Sequence, residues 1–221
     1  MNRQVFITAI ILSLFAIIGG GMVAFTEKNT AEQIRLNDKM ALQFSLNNIL
    51  PEDRYDNDLT ITTLSLAPHI LLGTVAESTA YVARQNKQTS AFVFNAVAPN
   101  GYNGKIYLLI GLYADEKVAA VRVVKHKETP GLGDAIEARR SDWILGFNDH
   151  SLNSLSDNQW KVKRDGGHFD QFTGATITPR AIVKAVHNCL LYYQQHKVQL
   201  LQAAEKITVN AADDKSSLTR E

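Results

Sequence analysis

Asp170-Gln171-Phe172-Thr173-Gly174-Ala175-Thr176-Ile177-Thr178-Pro179-Arg180 is the stretch on which the reading of this chain turns. Thr178 followed by Pro179 has the form of a helix N-cap and first helical residue. A threonine oxygen can accept from the orphan amides of a first turn, and proline lacks the donor that would go unused there. A helix therefore starts here, and Ile182, Val186, Cys189, Leu190 and Tyr193 follow at helical spacing as a stripe suited to packing on a sheet. Upstream, Gly174 and Ala175 remove side-chain bulk beside Thr176, so a large group can reach its hydroxyl, and the nearby helix start offers amides suited to a phosphate. The stretch reads as an attachment point for an anion or a cofactor.

Working toward the N-terminus, Lys161, Lys163 and Arg164 put positive charge close in sequence to the threonine cluster, either to neutralise a phosphate or as solvated surface charge. Farther back, Lys125-His126-Lys127-Glu128-Thr129-Pro130-Gly131-Leu132-Gly133-Asp134 stops regular structure with a proline and two glycines, exposing backbone amides alongside Glu128 and Thr129. Alone, this is an ordinary turn between a strand and a helix at Asp134 to Arg140. Paired with Thr173 to Thr176, it becomes a second wall of a binding site.

Before that loop the pattern is strongly β. Ala80 to Arg84, Ala91 to Val97, Lys105 to Tyr113 and Lys117 to Lys125 are separated by short polar or glycine-containing breaks, as in an antiparallel meander. Leu59 to Leu64 alternates as a further strand, Ala98 to Gly104 is a turn-rich link, and Ala114-Asp115-Glu116 is a tight hairpin connection. Val118, Val121, Val123 and Val124 put apolar residues on both faces of the last strand near its end, so something covers the sheet. The expected fold class is α+β, an antiparallel sheet with packed helices.

At the N-terminus, Val5 to Phe25 is an uncharged run that as a helix would span about 31 Å, close to the hydrocarbon thickness of a bilayer. It is long for a signal-peptide core, and Met22-Val23-Ala24 is a poor cleavage site, so a retained single-pass anchor is expected. Arg3 and the amino terminus precede the span while Glu27 and Lys28 cancel after it, which places the N-terminus in the cytoplasm and the remainder outside. Thr30 with Gln33 matches a capping box, starting a separate juxtamembrane helix that stops before Pro51. The expected divisions are an anchor at 1–28, a juxtamembrane helix and linker at 29–58, the folded domain at 59–205, and a polar, unpatterned and disordered tail at 206–221.

Several function classes are disfavoured. Lys plus Arg number 23 against 22 for Asp plus Glu, so the chain has no general basic field for nucleic acid. The single cysteine, Cys189, lies in the apolar helix pattern and reads as core, and the six histidines lack the paired spacing of a helical metal site. His168 and Asp170 form no nucleophile elbow around Thr173 or Thr176, and the glycine loops lack the spacing of a P-loop or a dinucleotide fold.

Asp170 to Thr176 matches the pattern D-x-x-[ST]-G-A-[ST], at which FMN-binding domains are covalently flavinylated through a threonine phosphoester. Together with Glu128 to Gly133, the anchor and the chain length, this resembles the G subunit of the Rnf (Rsx) electron-transport complex. It is similar also to the C subunit of the sodium-translocating NADH:quinone reductase, generally a longer protein. The resemblance implies that Thr176 carries FMN, esterified by a separate flavin transferase that uses FAD. It further implies that Asp170, Thr173, Gly174 and Ala175 form the recognition loop, while Glu128, Thr129, Gly131, Leu132 and Gly133 line the flavin ring side. Lys163 is added from charge and proximity in sequence as a neighbour of the phosphate or ring. The implied role is an electron-transfer subunit of a multi-subunit, ion-translocating oxidoreductase of the bacterial inner membrane, linked to ferredoxin and NAD. Its main domain is expected in the periplasm. The competing reading from the residues is a non-redox, membrane-tethered assembly module.

Overall fold

Helix α1 of the computed structural model, which describes residues 3–218, runs from Arg3 to Asn47 without interruption. Within it Phe6–Lys28 has a mean hydropathy of 2.4, long and apolar enough to cross a bilayer. The separate helix start expected at Thr30 is not there. The Thr30 hydroxyl donates to the Thr26 carbonyl at 2.8 Å, and the Gln33 amide donates forward to Asn37 at 3.1 Å. Both are bonds of a helix interior, because an unbroken run of helix-compatible residues leaves no orphan amides at Thr30 to cap. The chain divides into two compact units, Met1–Gln43 and Phe44–Glu221. The domain start expected at residue 59 lies inside the second.

That second unit is built on one antiparallel sheet of five strands in sequence order: β1 Thr63–Leu66, β2 Ser78–Gln85, β3 Gln88–Gly101, β4 Gly104–Tyr113 and β5 Val118–Lys125. The alternation expected from Leu59 is offset. Residues 59–62 form a turn, with Asp58 accepting from the Thr60 amide and hydroxyl, and pairing with β2 begins at Thr63. The β2–β3 hairpin turns on Asn86 and Lys87, with φ of 53° and 67°; both are left-handed, as a two-residue turn matched to the strand twist requires. The link expected over Ala98 to Gly104 is mostly strand. β3 continues to Gly101, and only Tyr102 and Asn103 remain as the turn.

Side chains alternate across this sheet. Phe92, Phe94, Ile106, Leu108, Ile110 and Leu112 face α2 (Ile177–Leu218) in the main core. From α2 come Ile182, Val186, Cys189, Leu190 and Tyr193, all 0–1% exposed, as the stripe implied. Cys189 is a core residue, and burial pushes its thiol pKa well up. The opposite face carries Val93, Leu109 and Ala120, and Leu46, Ile49 and Leu50 from the end of α1 are buried on that side. Ile49 stands against Gly111, where any Cβ would collide with it. The turn after β5 and the expected short helix at Asp134 to Arg140 resolve into a 3-10 turn, Gly133–Ile136, and a second 3-10 helix follows at Asp142–Phe147. Helix α2 continues past residue 206 to Leu218, into the segment expected as a tail; residues 219–221 lie outside the described residues.

Candidate functional site

The stretch Phe172 to Ala175 is a tight turn. The Ala175 amide donates to the Phe172 carbonyl at 3.2 Å, and Gly174 has φ +81°, the conformation that the third position of a type II turn demands. Its approach is fixed from behind. The Trp143 indole donates to the Asp170 carbonyl at 2.7 Å, and its ring meets Phe172 edge-on at 5.0 Å between centroids. The turn therefore hangs on the core through two aromatic rings.

Helix α2 starts two residues earlier than Thr178-Pro179 suggested. The Arg180 amide donates to the Thr176 carbonyl at 3.3 Å, which places Thr176 itself at the N-cap position. Thr178 is not the cap: it is 0% exposed and its hydroxyl donates to the Glu128 carboxylate. The correction follows from burial. A carboxylate that is 4% exposed must find donors inside the protein, whereas helix-start amides at a surface can be met by solvent or a ligand. The Thr176 hydroxyl is half-buried and makes no hydrogen bond among the described residues.

Glu128 organises the second wall. Its Oε1 accepts the Asn103 amide at 3.0 Å, and Asn103 Nδ2 donates to the Thr129 hydroxyl, also at 3.0 Å. The β3–β4 hairpin tip, the 128–133 loop and the first turn of α2 are thus tied by one carboxylate. Gly133 sits where a Cβ would lie 2.9 Å from Glu128 Cβ and 3.2 Å from Thr178 Oγ1, so only glycine permits this closeness. Gly131 has φ +77° and its amide donates to Asp134 Oδ1 at 2.7 Å, which turns the loop back.

Between the walls lies a cleft of about 220 Å³. Of the residues singled out from the sequence, Glu128, Thr129, Leu132, Gly133, Gly174, Ala175 and Thr176 line it. Gly131 and Thr173 shape the two turns without lining it. Asp170 and Lys163 lie outside, bonded to each other through Lys163 Nζ and Asp170 Oδ1 at 2.7 Å. Both are more than half exposed, so the pair contributes little energy and serves to hold the start of the turn. Tyr102, Ile177 and Thr178 complete the lining. An exposed tyrosine between two glycines, Gly101-Tyr102-Asn103-Gly104, was the available sign of Tyr102; Trp143 left no local sign, since its partner is 27 residues away.

The cleft and both its walls fall within residues 101–191, which match the family model of the FMN-binding domain. This is the class that sheet and cleft define. Residues 1–49 match a second model, the RnfG N-terminal region. The chain is 45% identical over 206 residues to the G subunit of the ion-translocating oxidoreductase complex of Pseudoalteromonas atlantica, covering 93% of this chain and 96% of that protein. The same-named proteins of Pseudomonas aeruginosa and Shewanella piezotolerans are 46% and 41% identical, covering 92% and 95% of this chain and 95% and 99% of theirs. The chain belongs to the family of G subunits of ion-translocating oxidoreductase complexes, and it carries an FMN-binding domain.

Proposed function

We propose that this chain is an electron-transfer subunit of a membrane-bound, ion-translocating oxidoreductase, and that it carries FMN in phosphoester linkage to Thr176. The observation that carries the reading is the Thr176 hydroxyl: half-buried, without a protein partner among the described residues, at the start of α2, and opening into a cleft whose two walls are the two motif loops. In attachment, the Thr176 oxygen forms a bond to the FMN phosphorus of FAD, the bond to the AMP half breaks, and the hydroxyl proton leaves to the transferase or solvent. Thr178 is a poor alternative acceptor because it is 0% exposed and committed to Glu128.

The residues present suit the group. Free amides at the N-terminus of α2 favour a phosphate, and Leu132, with Gly174 opposite, supplies an apolar surface for a ring. A cleft of about 220 Å³ is smaller than the roughly 300–1,000 Å³ of enclosing ligand pockets, so a flavin held here stays partly outside it. When bound, FMN supplies one-electron chemistry. This chain's part is to hold it at a fixed place, covalently, where partner subunits can reach its open edge. The supports for a bacterial inner-membrane location are the apolar span of α1 and the family. The cytoplasmic N-terminus and periplasmic domain rest on Arg3 preceding a span after which Glu27 and Lys28 cancel.

Co-expression with a flavin transferase tests the site. Denatured protein should keep flavin fluorescence on a gel and gain the mass of FMN less water, and Thr176→Ala should lose both. Covalent flavin retained by Thr176→Ala would sink the assignment.

A further inference from the structure

Within the second unit, the described residues cover the sheet face turned away from α2 at one end. Where Ile49 stands against Gly111, the surrounding Val93, Leu109 and Ala120 are buried. At the other end Tyr107 is 42% and Val124 58% exposed, and two grooves of about 540 and 550 Å³ meet at Val124. Apolar surface of this kind left open beside polar side chains marks a docking site more often than a bare surface does.

Its charges are mostly positive, with Glu77 in the first groove and Glu137 in the second as the carboxylates of the lining. Lys105 and Lys125 line the first groove and have no ion-pair partner among the described residues; the one carboxylate beside them is Glu77. Arg122 lines the second groove, half-buried, with a single hydrogen bond among the described residues, from Nη1 to the neighbouring Val121 carbonyl at 2.8 Å. Four of its five donors therefore have no partner among the described residues. His126 and Arg139, also in that groove, are already joined to Glu137. Burial lowers the Arg122 pKa from its ordinary value, the mark of a cation held out of water without a counter-ion.

We propose that this face docks an acidic partner protein, whose carboxylates meet Arg122, Lys105 and Lys125 around an apolar centre of Tyr107 and Val124. A small anion would engage the cations and leave Tyr107 and Val124 in water. Addition of a partner strand to the β5 edge is disfavoured because the register shifts opposite Tyr107 and Lys125 stands at the strand end, both of which blunt an edge. An apolar centre ringed by exposed charge is suited to a reversible encounter steered by electrostatics. The surface lies at the end of β5 that runs into Glu128, so a partner seated here is next to the proposed flavin cleft. That it exchanges electrons there rests on the flavin reading; the docking does not.

The test uses the full chain in membranes, co-expressed with the rest of its complex, with Val124 replaced by photoreactive benzoylphenylalanine. Irradiation should give a cross-link to a protein segment rich in Asp and Glu, identified by mass spectrometry. Adding Lys105→Glu and Lys125→Glu should lower the yield about tenfold at low salt, and raised salt should lower it without them. Lys105→Gln with Lys125→Gln should fall between. A cross-link to a second copy, to lipid or to nothing would overturn the proposal, as would an unchanged yield after charge reversal. Protease resistance and covalent flavin, read on the same samples, report separately on folding and on Thr176.

Discussion

Glu128 and Thr178 lie fifty positions apart, yet each satisfies the other, and this pair holds the cleft closed at its back. Replacing Thr178 by Val keeps the shape and leaves a carboxylate oxygen buried without its donor, a loss of about 1–3 kcal/mol. Thr178→Ser should restore most of it, and urea unfolding of the three proteins measures the difference. Gly174→Ala is a different kind of change. A Cβ there would lie 3.5 Å from Leu132, an ordinary contact, so its penalty is that of φ +81° on a non-glycine residue, about 1 kcal/mol or somewhat more. It should therefore lower stability and flavin incorporation modestly, whereas Thr176→Ala abolishes incorporation with stability unchanged. The motif loops were legible in the sequence because turn-forming glycines and a Thr-Pro helix start are local signals. The assignment of Thr178 to the cap was local in the same way. Its true partner is set by a buried carboxylate that no neighbouring residue announces.

Between residue and fold, the end of β5 is fastened to the turn at Gly133–Ile136 by Glu137. The Arg139 guanidinium first, and then His126 at 2.7 Å, hold its carboxyl down from 4.5 to about 2. Because the folded pKa lies below the unfolded one, these bonds stabilise fully above about pH 4.5 and are lost as pH falls toward 2. Arg139 is 77% exposed, so solvent screening keeps the contribution to about 1 kcal/mol. Glu137→Gln should flatten the stability profile between pH 5 and about 2, as read by denaturation midpoints across that range. The strands were readable from β-branched and aromatic runs, and β2, β3, β4 and β5 fall where the alternation placed them, longer at some ends. What was not readable was continuity. Gly101 and Gly104 looked like loop residues but pair across a two-residue turn, and Thr30 looked like a cap inside a helix that runs on to Asn47.

For the whole molecule, the decisive question is where the folded unit begins. Composition suggested residue 59, after the proline and the acidic turn, because the earlier helix carries only a rough apolar stripe. The structure buries Leu46, Ile49 and Leu50 of that helix at 0–2% exposure, and the second compact unit starts at Phe44. Those three side chains cover one end of the sheet face opposite α2. At about 1.5–3 kcal/mol each, their removal withdraws several kcal/mol, comparable with the entire stability of an ordinary domain. A fragment of residues 44–221 should therefore express as a soluble protein that unfolds in one cooperative transition, and a fragment of 59–221 should aggregate or unfold without a transition. Circular dichroism during thermal melting, with size-exclusion chromatography, distinguishes the two. Equal behaviour of the fragments would mean that the end of α1 adds nothing to the core, and the domain would begin where the sequence alone put it.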